Sequence, residues 1–357
     1  MKAILRYIIA LIFIASGFVK AVDTVGFSFK LEEYFSPAVF NMPFFEKYAL
    51  GIAIFISAVE IILGAMLLMK IQLKKTLVAL ISLCVFFAFL TFYSAYFNVV
   101  TDCGCFGDAL KMTPWQSFWK DIALLIGLII VWLAYQNSDK FEKPAGCIKS
   151  PLLWLVVFFT TFIISWGIKK EPLIDFRDYK IGTDLRLEKQ KIAQNPSEYK
   201  TFYVLKNNKT GEEKKINSDD FVADKKLWEE GTPWEIQKDK TTSEIVKQGY
   251  ESEIAKFRID DQNGSDITDQ ILNAEKAVLV FSYKPSVLSK EKIQEIENTV
   301  SRNTFVYGVS TNPTTFKKIT NGTMDGTAIK TIARSNPFIL ILNKGKVVDK
   351  FPAEDFK

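Results

Sequence analysis

The sequence predicts a multi-pass α-helical membrane bundle, four helices plus a fifth, followed by a soluble α/β domain. Three observations carry this expectation. Apolar residues make up 48% of the 357 and concentrate before position 169, where five runs approach the roughly 20 residues that cross a bilayer core. From Lys169 onward charged and amide residues return and no further spanning run occurs. From about Tyr250, β-rich runs alternate with helical ones, the pattern of an α/β sheet.

The five runs are 3–22, 48–69, 76–97, 118–135 and 151–168. In the first, Lys2 and Arg6 precede an apolar stretch and Ala15-Ser16-Gly17 offers small residues, but a clean cleavage signature is absent, and Lys20 and Asp23 follow at once. It is therefore expected to be a retained helix rather than a signal peptide. Lysines and arginines cluster before the first run (Lys2, Arg6), between the second and third (Lys70, Lys74, Lys75) and between the fourth and fifth (Lys140, Lys143, Lys149). Those ends are expected to face the cytoplasm. The mixed-sign loop 23–47 and the loop carrying Asp102 and Asp108 then face outward, as does the C-terminal domain. Lys169 and Lys170 point mildly against this, but a long domain is translocated largely regardless of such charges. The expected setting is a bacterial inner membrane, with the C-terminal domain periplasmic.

The formal charge of +5 is spread along the chain, with no basic stripe of the kind nucleic acid requires, so no nucleic-acid partner is expected. There is no histidine. That removes the commonest general base and metal ligand, and with it every Ser-His-Asp or Cys-His site.

In the soluble half, 188–194 reads as helical, 201–205 as a short strand and 207–211 (Asn-Asn-Lys-Thr-Gly) as a turn between strands. No catalytic motif occurs in 169–249. Beyond it the expected order is a strand at 255–260, a turn, a short helix at 268–273, a strand at 277–283, a helix at 290–300, a strand at 304–310, a helix near 314–319, and a hairpin 338–343 and 346–351 around Lys344-Gly345.

The densest chemistry lies in Asp102-Cys103-Gly104-Cys105-Phe106-Gly107-Asp108. A disulfide normally wants Cα atoms about 4.4 to 6.8 Å apart, so a Cys-Gly-Cys bond is a tight ring, labile and oxidising. Cys103 and Cys105 are thus the candidate redox pair, with Gly104, Phe106, Gly107 and Asp108 supporting. A structural bridge, or a two-coordinate soft metal such as Cu(I), are the other readings; a closed zinc site needs more ligands. Cys84 lies inside the third run and reads as a small buried hydrophobe, and Cys147 as a cytoplasmic thiol that stays reduced. Glu60, in the middle of the second run, is expensive there and is expected either to handle protons or to lock helices together. Lys20, read as near the outer interface and about half a membrane from Glu60, is expected to snorkel. Phe106, Trp115, Phe118 and Trp119 read as an interfacial belt, or alternatively as the wall of a quinone pocket. Asn208-Lys209-Thr210 and Asn321-Gly322-Thr323 match the glycosylation pattern, which a bacterial origin makes irrelevant.

The element order after Tyr250, with Asn336-Pro337 leading into Phe338-Ile339-Leu340-Ile341-Leu342, resembles a thioredoxin-like domain. The resemblance implies a cis bond before Pro337 and a partner-binding edge there. Where that family carries Cys-x-x-Cys, this chain has Lys284-Pro285-Ser286-Val287, so the tail alone cannot perform thioredoxin chemistry. Gly17-Phe18-Val19-Lys20, Glu60 with Gly64, and the Cys-Gly-Cys-Phe-Gly-Asp string together resemble the DoxX and methylamine-utilisation MauE families, of the Bacteroidetes type that adds a fifth helix and a thioredoxin-like tail. The expected layout is a four-helix domain over 1–140, a cytoplasmic loop and fifth helix over 141–168, an extracytoplasmic connecting region over 169–249 and the thioredoxin-like domain over 250–357. The resemblance implies a thiol-disulfide oxidoreductase or redox maturation factor acting on envelope protein thiols, with a quinone as candidate electron acceptor. A non-enzymatic scaffold whose tail binds an envelope partner, with the cysteine pair structural, is the alternative.

Overall fold

The computed structural model describes residues 2–100, 104, 106–136, 149–302 and 305–356. Its membrane part consists of α1 (Lys2–Val22), α2 (Thr24–Phe35), α3 (Pro43–Lys47), α4 (Ala49–Met69), α5 (Leu73–Phe97), α6 (Pro114–Tyr135) and α7 (Lys149–Lys169). Helices α1, α4, α5 and α6, with the stretch Pro151–Lys169 of α7, are long and apolar enough to cross a membrane. Phe55, Trp154 and Phe158 stand 64–69% exposed on these helices, which only lipid covers without cost. The chain is a multi-pass membrane protein.

Sequence chemistry sets the helix ends. Thr113 caps α6 through a reciprocal box with Gln116, and Pro114 occupies its first turn. Asp23 breaks α1 from α2 and caps the latter, accepting from the Gly26 N–H at 2.9 Å. Helices α1 and α4 run antiparallel and nearly touch at two glycines. A Cβ on Gly17 would lie 2.8 Å from Glu60 Cβ, and one on Gly64 would lie 2.8 Å from Ile14 Cγ1. Small residues at such crossings let backbones approach closely in lipid.

Two expectations for this half need correction. The segment 23–47 is not a loop: α2 turns Phe27 and Leu31 onto Ala49, Ala53 and Ile56 of α4. Lys20 does not snorkel. It is 2% exposed and pairs directly with Glu60. The crossing at Gly17 is level with Glu60, Lys20 is only about 4.5 Å further along the axis, and its side chain leans back toward the helix N-terminus.

Residues Thr183–Arg258 form a separate compact unit. Helix α8 (Leu185–Gln194) is capped by Asp184, and β1 (Glu198–Asn207) pairs antiparallel with β2 (Glu213–Asn217), β3 (Trp234–Ile236) and β4 (Thr242–Lys247). Helix α9 (Ser218–Ala223) follows β2. The expected turn joins β1 to β2: the Asn207 side chain accepts from the N–H groups of Lys209 and Thr210, and Gly211 takes φ +74°.

The C-terminal region, which groups with the helices as one unit, contains α10 (Thr268–Asn273), β5 (Ala277–Ser282), α11 (Lys290–Val300), β6 (Val306–Ser310), β7 (Thr320–Thr323), α12 (Gly326–Ile332), β8 (Phe338–Asn343) and β9 (Lys346–Pro352). The sheet order is β7-β6-β5-β8-β9, with β7, β6 and β5 parallel and the β8-β9 hairpin antiparallel. Strand β5 is buried at every position, as an apolar run covered on both faces must be. Two expected elements are absent. Residues 255–260 do not form a strand: Glu253–Lys256 is a 3-10 turn burying Ile254 and Phe257 at helical spacing, and Asp260 makes only isolated bridges to Asp266 and Thr323. Residues 314–319 are not helical, because the Asn312 side chain accepts from the Thr314 N–H and Oγ1 and so competes with helix formation.

Lys350 on β9 is buried beside Asp175 and Glu171, with the Arg177 guanidinium on the same carboxylates. Burial, assisted by the Arg177 charge, pushes Lys350 down from 10.5 to about 8 against the pull of both acids. A base depressed on folding contributes stability that is present above its ordinary value and lost as pH falls through the folded one. Thermal unfolding is therefore expected to show a gain between about pH 8 and about pH 10.5 that is absent in Lys350→Met.

Candidate functional site at the loop between α5 and α6

Cys103, Cys105 and Asp102 lie outside the described residues, as does Cys147. The described part of the loop is held tightly. Gly104 takes φ +63° and Gly107 φ +50°, and the Gly107 N–H donates to the Gly104 carbonyl at 3.1 Å. Gly104 also lies against α2: a Cβ there would stand 3.0 Å from Lys30 Cγ. The Lys120 ammonium sits 5.3 Å from the centre of the Phe106 ring. A glycine at 104 is thus required twice, by its backbone angle and by its neighbour.

Asp108, the last residue of the string, is tied to the C-terminal region. Arg334, directly after α12, donates through NH2 to Asp108 Oδ2 at 2.9 Å and through Nε to both oxygens of Asp23 at 2.8 and 2.9 Å. Its NH1 is bonded to the Lys330 carbonyl, and its side chain is 4% exposed. Gly26 admits this approach, since a Cβ would lie 2.8 Å from Arg334 NH2. The two carboxylates respond differently. Burial works upward on Asp23, but Arg334 outweighs it and holds the group below its ordinary value. At Asp108 burial wins over Arg334, reinforced by the Asp23 charge, and the group is raised.

Further contacts bind the same two regions. Lys330 on α12 pairs with Glu32 on α2 at 2.7 Å, and the Phe29 ring meets the Tyr283 ring edge-on at 5.1 Å. Arg177, after α7, donates to the Ile332 carbonyl at 2.7 Å. Three residues past Arg334, Pro337 follows a cis peptide bond, as the resemblance implied. Asn336 beside it accepts from Ser282 Oγ at 2.7 Å and donates to the Lys284 carbonyl at 2.9 Å. Lys284 and Pro285 line an open cleft of about 450 Å³ at the carboxyl ends of β5 and β6, together with Tyr283, Ser286 and Asn312.

Glu60 is not part of this loop. It lies inside the bundle, accepting from Lys20 Nζ at 3.0 and 2.8 Å and from Ser16 Oγ at 3.1 Å. Trp115, Phe118 and Phe92 form an aromatic group at the start of α6, and Trp115 and Trp119 are 45% and 62% exposed. An interfacial belt accounts for that exposure. Among the described residues no group of three or more His, Cys, Asp or Glu side chains is placed to hold a metal ion.

Sequence reading missed Arg334, Asp23 and the pair Lys120-Asp121. The last pair carried a usable signal, two charges inside an apolar run. Arg334 carried none, since its partners are more than 200 positions away.

Compared with known proteins, the helical part matches one family. Residues 1–136 match the family model described as methylamine utilisation protein MauE. The match covers α1 to α6 and includes the whole Cys103 to Asp108 string. No curated protein and no solved structure matches the chain. The sheet region and the unit Thr183–Arg258 lie outside the match.

Proposed function

We propose that this chain is a membrane thiol-disulfide redox protein, or a redox maturation factor, in which Cys103 and Cys105 are the exchanging pair. One thiolate attacks a partner disulfide, or the oxidised pair takes two electrons from a partner dithiol, in each case through a mixed disulfide. The observation that carries the reading is the Arg334 bridge, which joins Asp108 of the cysteine loop to the segment just before Pro337. The sheet region is read as thioredoxin-like. Its parallel β6 and β5 and the β8-β9 hairpin support this, whereas β7 enters the edge after β6 in the chain. In this reading the tail, with Lys284-Pro285-Ser286-Val287 in place of two cysteines, holds an envelope client while the bundle supplies the redox pair. Loop charge supports a tail on the periplasmic side of the inner membrane.

The test is a redox titration of the purified full-length protein, following alkylation of Cys103 and Cys105 by mass spectrometry across glutathione buffers. A reversible two-electron transition above about −300 mV, the range below which structural disulfides usually lie, is expected. A pair that stays oxidised throughout overturns the shuttle and leaves a scaffold stapled by a structural bridge.

A further inference from the structure

Midway through the bundle four charged side chains from three helices surround one small space. Lys20 on α1 pairs with Glu60 on α4 at 2.8 Å and donates to Ser16 Oγ at 2.6 Å. On α6, Lys120 pairs with Asp121 at 2.8 Å, and Asp121 also accepts from Thr91 Oγ1 of α5 at 3.4 Å. These four side chains, with Ser16 and the Cys84 thiol of α5, line a cavity of about 10 Å³, close to what one water molecule needs. Polar capacity around it is incomplete. Cys84 is a buried free thiol, and Ser117, one turn before Asp121 on the same face, is fully buried with no partner for its Oγ among the described residues.

Helix packing does not require such an arrangement. Each buried charge costs several kcal/mol that its partner only partly returns, and ionisable residues inside a membrane mark pathways more often than structure. The cluster is also asymmetric. Toward the N-terminal end of α1 it is closed by Ile9, Ala10, Phe13, Leu80 and Leu128, all less than 5% exposed. Toward the cysteine loop it reaches Lys120, whose side chain is 20% exposed and lies under Phe106.

We infer that this cavity is an intramembrane proton-exchange site, entered from the cysteine-loop end through Lys120 and Asp121 and closed at the other. A proton arriving at the Asp121 carboxylate passes through a water in the cavity to Glu60, which holds it as a carboxylic acid beside the Lys20 ammonium. The site then carries one more positive charge, and the reverse steps return the proton by the same route. Lys20, Glu60, Cys84, Lys120 and Asp121 are the titratable groups facing the cavity from the four helices around it.

Cys84 is a built-in probe, because its S–H stretch falls in an open region of the infrared spectrum and Cys84→Ala identifies the band. Full-length protein in lipid nanodiscs is transferred to deuterated water with the other thiols alkylated. The Cys84 band is expected to shift to S–D under native conditions, and Lys120→Met is expected to slow that shift by roughly 100-fold, the scale of a lost proton-relay group. A carboxyl band that follows bulk pH and disappears in Glu60→Gln is expected from the same samples. A Cys84 band that exchanges only on unfolding, or exchange that Lys120→Met leaves unchanged, overturns the proposal. If a variant fails to fold, the exchange and pH response of the unsubstituted protein still decide it. The readout needs no turnover of Cys103 and Cys105, so failure of the redox titration and failure of this site are separate results.

Discussion

Replacing Lys20 by methionine is expected to destabilise the bundle by about 3–5 kcal/mol, the scale for breaking a buried ion pair from one side. The amine it removes donates to both Glu60 oxygens and to Ser16, at 2.6 to 3.0 Å. Glu60 is 2% exposed, so its carboxylate is left buried without a counter-charge. Substituting both partners gives the opposite result. Lys20→Met with Glu60→Met removes two desolvation costs along with one attraction, and such swaps are neutral or stabilising by about 1–4 kcal/mol. Denaturation in mild detergent, followed by tryptophan fluorescence for the two singles and the double, measures the coupling. A double variant as unstable as Lys20→Met alone would show that the unpaired Glu60 charge is not the source of the loss. Gly17 provides a second check, since a bulky residue there meets Glu60 Cβ and Ile61 at 2.8 Å and should imitate the loss of the pair.

The five spans were legible because a run of apolar residues of bilayer length is a one-dimensional signal. The observed helices lie within a few positions of the runs, apart from α6, which starts at Pro114 where its capping box lies. Strand β5, helix α11 and the β8-β9 hairpin were legible for a similar reason: each is short, strongly patterned and bounded by its own turn residues. Helix α2 was not. Its buried positions Thr24, Val25, Phe27, Ser28, Leu31 and Tyr34 mix polar and apolar types, and its charged positions Lys30, Glu32 and Glu33 resemble a loop. At 314–319 the alternation of strands and helices suggested a helix, but Asn312 and the burial of Phe316 beneath Gly308 decided otherwise. Of the site, Cys103 and Cys105 stood out by their one-residue spacing and Glu60 as a carboxylate inside an apolar run. The partners that give Glu60 and Asp108 their environments, Lys20 and Arg334, are set by helix crossing and by the return of the chain from the sheet region. Neither is written in local spacing.

Removing Arg334 is the second change with a large expected effect, and its two carboxylate partners allow the cause to be assigned. Arg334→Ala leaves Asp23 and Asp108 facing each other with the guanidinium gone, and a loss of about 3–5 kcal/mol is expected. It is read as faster proteolysis between the helices and the sheet region. Arg334→Lys should recover little, because a point charge cannot donate to Asp23 through one nitrogen and Asp108 through another in the same fixed geometry. The carboxylates should then separate. Asp23 is held below its ordinary value, so its contribution is present above about pH 4 and lost as pH falls through the depressed folded value. Asp108 is raised, so its contribution is present at low pH and lost as pH rises through the raised value. At neutral pH Asp23→Asn is therefore expected to be costly. Asp108→Asn should fall within about 1 kcal/mol of the parent, because the burial cost it removes offsets the Arg334 pairing it gives up. Stability measured from about pH 7 down to about pH 3 should decline more steeply in Asp108→Asn than in the parent, since the opposing titration is gone. A flat acid limb in Asp108→Asn would mean that Arg334 does not act on Asp23 as a charge. A steep one would leave Asp108 free to be varied independently of Asp23, so that the cysteine loop is altered while Arg334 keeps the sheet region against α2.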